Sequence, residues 1–134
     1  VSAEDNIKTI QRVYEAFGRG DVATIVDAVT DDVDWASDTS STGAPWYGVH
    51  QGKDGVAAFF QAFGSAMEVA EFTPLTFAAN DSAVLTVVRF KATSRTTGKT
   101  AEMNLHHYFV FEGSKISHYR GSEDSAITEA ALRA

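Results

Sequence analysis

Met103-Asn104-Leu105-His106-His107-Tyr108-Phe109-Val110-Phe111 runs into Glu112-Gly113-Ser114 and then into Lys115-Ile116-Ser117-His118-Tyr119-Arg120-Gly121. The first run reads as a β-strand, the three residues after it as a tight hairpin connection, and the second run as the returning strand. Successive strand residues face opposite ways. One face of the first strand carries Met103, Leu105, His107, Phe109 and Phe111, and the other carries Glu102, Asn104, His106, Tyr108 and Val110. The first face is apolar apart from one imidazole. Burying that group is unfavourable unless it is hydrogen-bonded. His107 therefore either has a structural partner or looks into a cavity where binding or chemistry takes place.

A three-residue loop pairs Phe111 with Lys115. Counting back sets Phe109 opposite Ser117, His107 opposite Tyr119 and Leu105 opposite Gly121, so His107 and Tyr119 become inner-face neighbours. The outer face then pairs His106 with Arg120 and Tyr108 with His118. This register is sensitive to slips of a single residue.

Upstream, Asn6 to Phe17 is an amphipathic helix, with Ile7, Ile10, Val13, Tyr14 and Phe17 at helical spacing. Gly18-Arg19-Gly20 ends it. Asp21 caps a second short helix whose buried stripe is Val22, Ile25, Val26 and Val29. Val33 to Ser37 is a brief strand with Val33, Trp35 and Ser37 on one face. Residues 38–52, rich in Gly, Ser and Thr and containing Pro45, Trp46 and Tyr47, form a long loop of the kind that serves as a lid or binding loop. A third helix from Asp54 to Met67 turns Val56, Phe59, Phe60, Phe63 and Met67 inward. The remainder is sheet: Val69 to Ala79, with Pro74 marking an edge or bulge, then Ala83 to Thr93, then the two strands above. Ser125 to Leu132 makes a terminal helical turn or two. Helices first and an antiparallel meander afterwards is an α+β layout, with helices packed on one face of a curved sheet.

The chain has 134 residues and reads as one domain, 1–134, large enough for a core without staples. It has no Cys, which excludes disulfides and thiolate metal sites. Its formal net charge of −7 argues against nucleic acid and against an anionic membrane surface. No apolar run is long enough to span a membrane. The polar start, Val1-Ser2-Ala3-Glu4-Asp5, shows no signal peptide, so a cytoplasmic location is expected. His106 and His107 are adjacent on a strand and point apart, and His50 and His118 lack the spacing of a known site, so no metal is expected. Without a Gly-rich phosphate loop or a nucleophile elbow, no dinucleotide or other cofactor is indicated.

The order of elements resembles the nuclear transport factor two-like superfamily, with its SnoaL-like polyketide cyclases, ketosteroid isomerases and limonene epoxide hydrolases. The carrying residues are Tyr14-Glu15-Ala16-Phe17 with Gly20-Asp21, Asp31-Asp32-Val33-Asp34-Trp35, Gly52 opening the third helix, Leu105-His106-His107 with Phe109-Val110-Phe111, Lys115-Ile116, and Arg120 through Glu123-Asp124. The resemblance implies a cone-shaped α+β fold: a curved antiparallel sheet wrapped around N-terminal helices, with an apolar pocket at one end. It also implies a homodimer through the outer sheet face, where Tyr108, Val110 and Ile116 would suit an interface.

The family chemistries do not carry over residue by residue. Ketosteroid isomerases use an Asp base and an oxyanion hole of Tyr and protonated Asp; the resemblance puts these positions on Ser37, Val13 and His107. Asp38 is one residue from the base position and should point outward. One Asp of the epoxide hydrolase cluster falls on Gly121. What remains is a cofactor-independent isomerase or cyclase that binds a small hydrophobic molecule. His107 and Tyr119 would be its catalytic pair, with Tyr119 orienting the imidazole. Tyr14, Trp35, Ser37, Trp46, Phe59, Phe63, Phe109 and Glu123 would be the ligand contacts. Asp124 reads as a helix cap and Arg120 as an outward ion-pair partner. The alternatives are a non-catalytic module for a lipid-like or polyketide-like ligand, an epoxide hydrolase with its own catalytic set, and a pocket filled by its own side chains.

Overall fold

The computed structural model describes residues 2–134, and its first element follows from a capping box. The Ser2 side chain accepts from the Asp5 backbone N–H, and the Asp5 carboxylate accepts from the Ser2 backbone N–H. Helix α1 therefore spans Ala3–Gly18. It starts earlier than the apolar pattern implies, because a polar cap sets the first turn. It buries Ile10, Val13 and Tyr14. Helix α2, Val22–Asp27, is capped by Asp21, which accepts from the Thr24 N–H. Val29, expected on the α2 stripe, instead opens strand β1, Val29–Ser37, and pairs with Ile116. The β-branched pair Val29-Thr30 favours an extended backbone there over a further helical turn.

The segment 38–52 is not loop throughout, since Val49–Gln51 forms the short strand β2 on the outer side of β1. Helix α3 spans Gly52–Ala66, and Met67, expected at its end, begins strand β3, Met67–Ala79. The meander continues with β4 (Ala83–Ser94), β5 (Thr100–Glu112) and β6 (Lys115–Ser122). Asp124 then caps the last helix, α4 (Ser125–Leu132). The sheet order is β2-β1-β6-β5-β4-β3. Pro74 lies on the edge strand β3 beside a register shift, which spares the ladder its missing N–H. Strands β3 to β6 are antiparallel, but β1 joins the free edge of β6 in parallel, so the sheet is mixed rather than wholly antiparallel. The direction of β1 follows from how α1 and α2 seat in the sheet, and no local pattern encodes that. Helix α1 packs on β3 and β4, and α3 packs on β1 and β2. The curved sheet thus wraps the helices as a cone.

The β5–β6 register differs from the expected one by two residues. The turn is Gly113-Ser114 alone, closed by the pair Glu112–Lys115, with Gly113 at φ +61°. A glycine at positive φ is what a two-residue hairpin turn needs to match strand twist. That moves the pairing by one residue and sets Ile116 opposite Phe111, on the core side. Ile116 is 0% exposed, which corrects its expected place on the outer face. A bulge at Ser117 then adds a second residue, giving Phe109 opposite Tyr119 and His107 opposite Gly121. Outside, Tyr108 now faces Arg120 and His106 faces Ser122. Two single-residue shifts restore facing, so Tyr119 still points inward.

Phe109 is buried at the centre of this arrangement, against Tyr14, Trp35 and Tyr119. Phe109→Ala should destabilise the fold by about 3–5 kcal/mol, from lost transfer energy plus a cavity. Urea denaturation would measure it; a loss below about 1 kcal/mol would mean that the site collapses freely.

Candidate active site

Three elements converge on one hydroxyl. Strands β4 and β5 place Thr86 and His107 directly opposite each other. Helix α1 brings Tyr14 over both, one position along the inward stripe from Val13. The Tyr14 hydroxyl lies 2.6 Å from Thr86 Oγ1 and 2.7 Å from His107 Nδ1. His107 therefore takes its structural partner from the helix layer and not from Tyr119, which corrects the expected orienting role of Tyr119. Tyr119 instead stacks on Trp35, with ring centroids 4.1 Å apart and planes 27° apart, and meets His107 edge-on at 5.4 Å.

Burial drives the imidazole pKa down to about 3, with a smaller push from nearby His106. His107 is neutral at physiological pH. Burial also holds the Tyr14 and Tyr119 phenols above their ordinary range, so both remain protonated. The Tyr14 hydroxyl has one proton and two partners. Either it donates to Nδ1 and accepts from Thr86, or it accepts from Nδ1–H and donates to Thr86. In the first arrangement Nε2 carries a proton and is a donor; in the second Nε2 is a bare base. Among the described residues Nε2 has no hydrogen-bond partner, nor does the Tyr119 hydroxyl, and neither is among the sealed, unpartnered polar atoms. Both side chains line the same space. Trp35 Nε1, by contrast, is sealed without a partner in the wall.

That space is a cavity of about 80 Å³ bounded by α1, β1, α3 and the inner face of the sheet. Tyr14, Trp35, Ser37, Trp46, Phe59 and Phe63 line it, as do Phe109 and Glu123 with the catalytic candidates His107 and Tyr119, so every site residue read from the sequence reaches one cavity. Trp46 is only 3% exposed and stands edge-on to Phe63 at 5.0 Å, so its loop is packed down as a wall. Gly121 sits opposite His107 and beside Ser37. A Cβ there would overlap the Tyr119 hydroxyl, which leans across the glycine. Glu123 closes the mouth: its Oε2 accepts from the Tyr47 hydroxyl at 3.0 Å and from Thr128 Oγ1.

Sequence reasoning missed Thr86, Tyr47 and Thr128. Thr86 would have been visible from the β4–β5 register, but Tyr47 and Thr128 meet Glu123 only through tertiary contact. Arg120 points outward and binds the Asp34 carboxylate at 3.0 Å, holding it below the usual carboxylate range. Among the described residues no group of His, Asp and Glu side chains gathers closely enough to hold a metal. Nor, among those residues, is any helix long and apolar enough to cross a membrane.

The sequence profile of the SnoaL-like domain family matches residues 10–119, from within α1, through strands β1 to β5 and His107, into β6 as far as Tyr119. This chain belongs to the SnoaL-like domain family. No curated protein matches it. Among solved structures, an NTF2-like protein from Burkholderia xenovorans LB400 is 23% identical, with 98% of each chain covered and a TM-score of 0.87. TerC, co-crystallised with polyporic acid, is 20% identical over 97% of this chain and 99% of its own, at a TM-score of 0.84. An LEH-like epoxide hydrolase from M. tuberculosis is 15% identical over 97% of this chain and 90% of its own, at 0.75. These likenesses establish the fold: this SnoaL-like domain shares the NTF2-like cone.

Two measurements probe the site. His107 binds a proton below about 6.5 when unfolded, but only below about 3 when folded. Between those values the unfolded chain holds more protons, so stability falls as pH drops through that window and gains nothing from this group above it. His107→Gln should flatten the urea midpoint against pH there; slopes equal to wild type would assign the linkage to other groups. Gly121→Ala should expel the Tyr119 ring and cost about 1–3 kcal/mol through overpacking. An unchanged tryptophan emission spectrum, reporting an intact Trp35–Tyr119 stack, would contradict it.

Proposed function

We propose that this SnoaL-like domain is a cofactor-independent enzyme of isomerase or cyclase type. It binds a small, largely apolar molecule in the cone and moves a proton on it through His107 Nε2. The observation that carries this reading is the neutral imidazole, anchored at Nδ1 by Tyr14, with Nε2 left open beside the free Tyr119 hydroxyl in an otherwise apolar cavity. An imidazolium is unfavourable there on its own. It forms next to the carbanion or enolate it has just created, and the new ion pair offsets the burial penalty. Tyr119 donates its hydrogen bond to the oxygen on which that negative charge develops. With Nδ1–H donating to the Tyr14 hydroxyl, Nε2 takes the proton in one step and gives it back at another atom in the next, so His107 ends in the neutral tautomer in which it began. Ser37 stands where the ketosteroid isomerase base would be, so that position offers no carboxylate for this role.

A non-catalytic binding module is the second reading. What favours it is the cavity volume, about 80 Å³, below the roughly 150 Å³ of an apolar cavity that admits benzene. On either reading the aromatic wall shifts outward to take a ring, and the co-crystal of TerC with polyporic acid supports small-molecule binding by this fold. We also propose a homodimer through the outer sheet face, where Leu85 and Tyr108 are cross-strand neighbours and remain 54% and 41% exposed.

Wild type and His107→Ala should be incubated with steroid enones, terpene epoxides and aromatic polyketide precursors, with bound and converted species read by mass spectrometry. Conversion by wild type alone, with the variant still folded, is the expected result. Equal conversion by the variant would remove His107 from the chemistry. Binding without conversion by either protein would establish the carrier.

A further inference from the structure

The mouth of the cavity carries a charge that the protein leaves uncompensated. Glu123 Oε2 is held by Tyr47 and Thr128, while Oε1 has no partner among the described residues and is not sealed. No Lys, Arg or His among those residues forms an ion pair with Glu123. Glu129 lies close by on α4, where it accepts from Ser41 Oγ at 2.9 Å. Burial first, and then the negative charges of Glu123 and Glu129, push the Tyr47 phenol above its ordinary range. No Lys or Arg lines the cavity, and eleven of its twenty lining residues are Phe, Tyr or Trp. At the rim Trp46 stands edge-on to Tyr47, with planes 75° apart, and edge-on to Phe63 at 78°, so aromatic faces meet at right angles beside the carboxylate.

An anionic ligand would meet Glu123 with nothing to offset the repulsion. A neutral ligand would leave Oε1 to solvent. An ammonium would satisfy the carboxylate and be attracted by the ring faces around it. We infer that the ligand of this cavity is a hydrophobic amine, its ammonium at Glu123 Oε1 and its ring or hydrocarbon body among the phenylalanines. The deep end then offers it only neutral polar groups, at Ser37, His107 and Tyr119. This inference rests on the proposed reading that the cavity is the ligand site, and it names the chemical class of that ligand.

Calorimetric titration at neutral pH and low salt, with 2-phenylethylamine, 2-phenylethanol and 3-phenylpropionate as ring-matched probes, tests the two separately. The amine should bind wild type about tenfold more tightly than the alcohol, and the carboxylate most weakly. Added salt should weaken the amine alone. Glu123→Gln, which keeps an acceptor for Tyr47 and Thr128, should bring the amine level with the alcohol. An alcohol that binds wild type as tightly as the amine overturns the inference and leaves the cavity as a ligand site. An amine preference that survives in the variant overturns the assignment to Glu123. If no probe binds wild type, the ligand-site reading falls with it. The wild-type comparison and its salt dependence decide the matter even if the variant does not fold.

Discussion

A neutral imidazole sits among Leu105, Phe72 and Phe109 because Tyr14 reaches it from the helix layer. That contact sets three things together. It satisfies a polar atom that would otherwise be buried at a penalty of a few kcal/mol. It ties α1 to β4 and β5 through Thr86 and His107. It also fixes the ring so that Nε2, the atom with chemistry to offer, is the one left free. The same burial that makes Tyr14 necessary keeps His107 uncharged, and an uncharged histidine offers Nε2 as donor or acceptor according to its tautomer.

The strand register supplies the second constraint. A two-residue turn would by itself have rotated β6 so that Tyr119 faced outward. The bulge at Ser117 cancels that rotation. The pair of shifts buries Ile116 near the turn and Tyr119 farther up, and it sets Gly121 opposite His107. With no side chain at Gly121, the Tyr119 hydroxyl folds over the strand toward the imidazole. One inserted residue thus decides whether the Tyr119 hydroxyl joins His107 in the cavity.

The electrostatics of the cavity divide along its length. Its deep end is neutral, with an imidazole and phenols that keep their usual uncharged forms. Its mouth is acidic, with Glu123 held in place by Tyr47 and Thr128. On the outer sheet face Arg120 pairs with Asp34, whereas the mouth carboxylate forms no ion pair among the described residues. On the proposed reading, selectivity toward charge rests on Glu123 and proton transfer on His107.

Alternation in Leu105 to Phe111, the stripe on α1 and the caps at Asp21 and Asp124 are local patterns, and the sequence by itself determined the elements they specify. It also determined that His107 would be the lone titratable group on an inner face, because strand facing has a period of two and survives an even shift in register. Every candidate read from that pattern, from Trp35 to Glu123, reaches the cavity for the same reason. Only the tertiary structure decided which partner His107 would have, since Tyr14 meets it across 93 residues of chain. The parallel placement of β1, the inward position of Ile116 and the Tyr47–Glu123–Thr128 cluster were likewise settled there. Each depends on where a turn, a bulge or a helix delivers its side chain, and periodicity along one segment carries no information about contacts between segments.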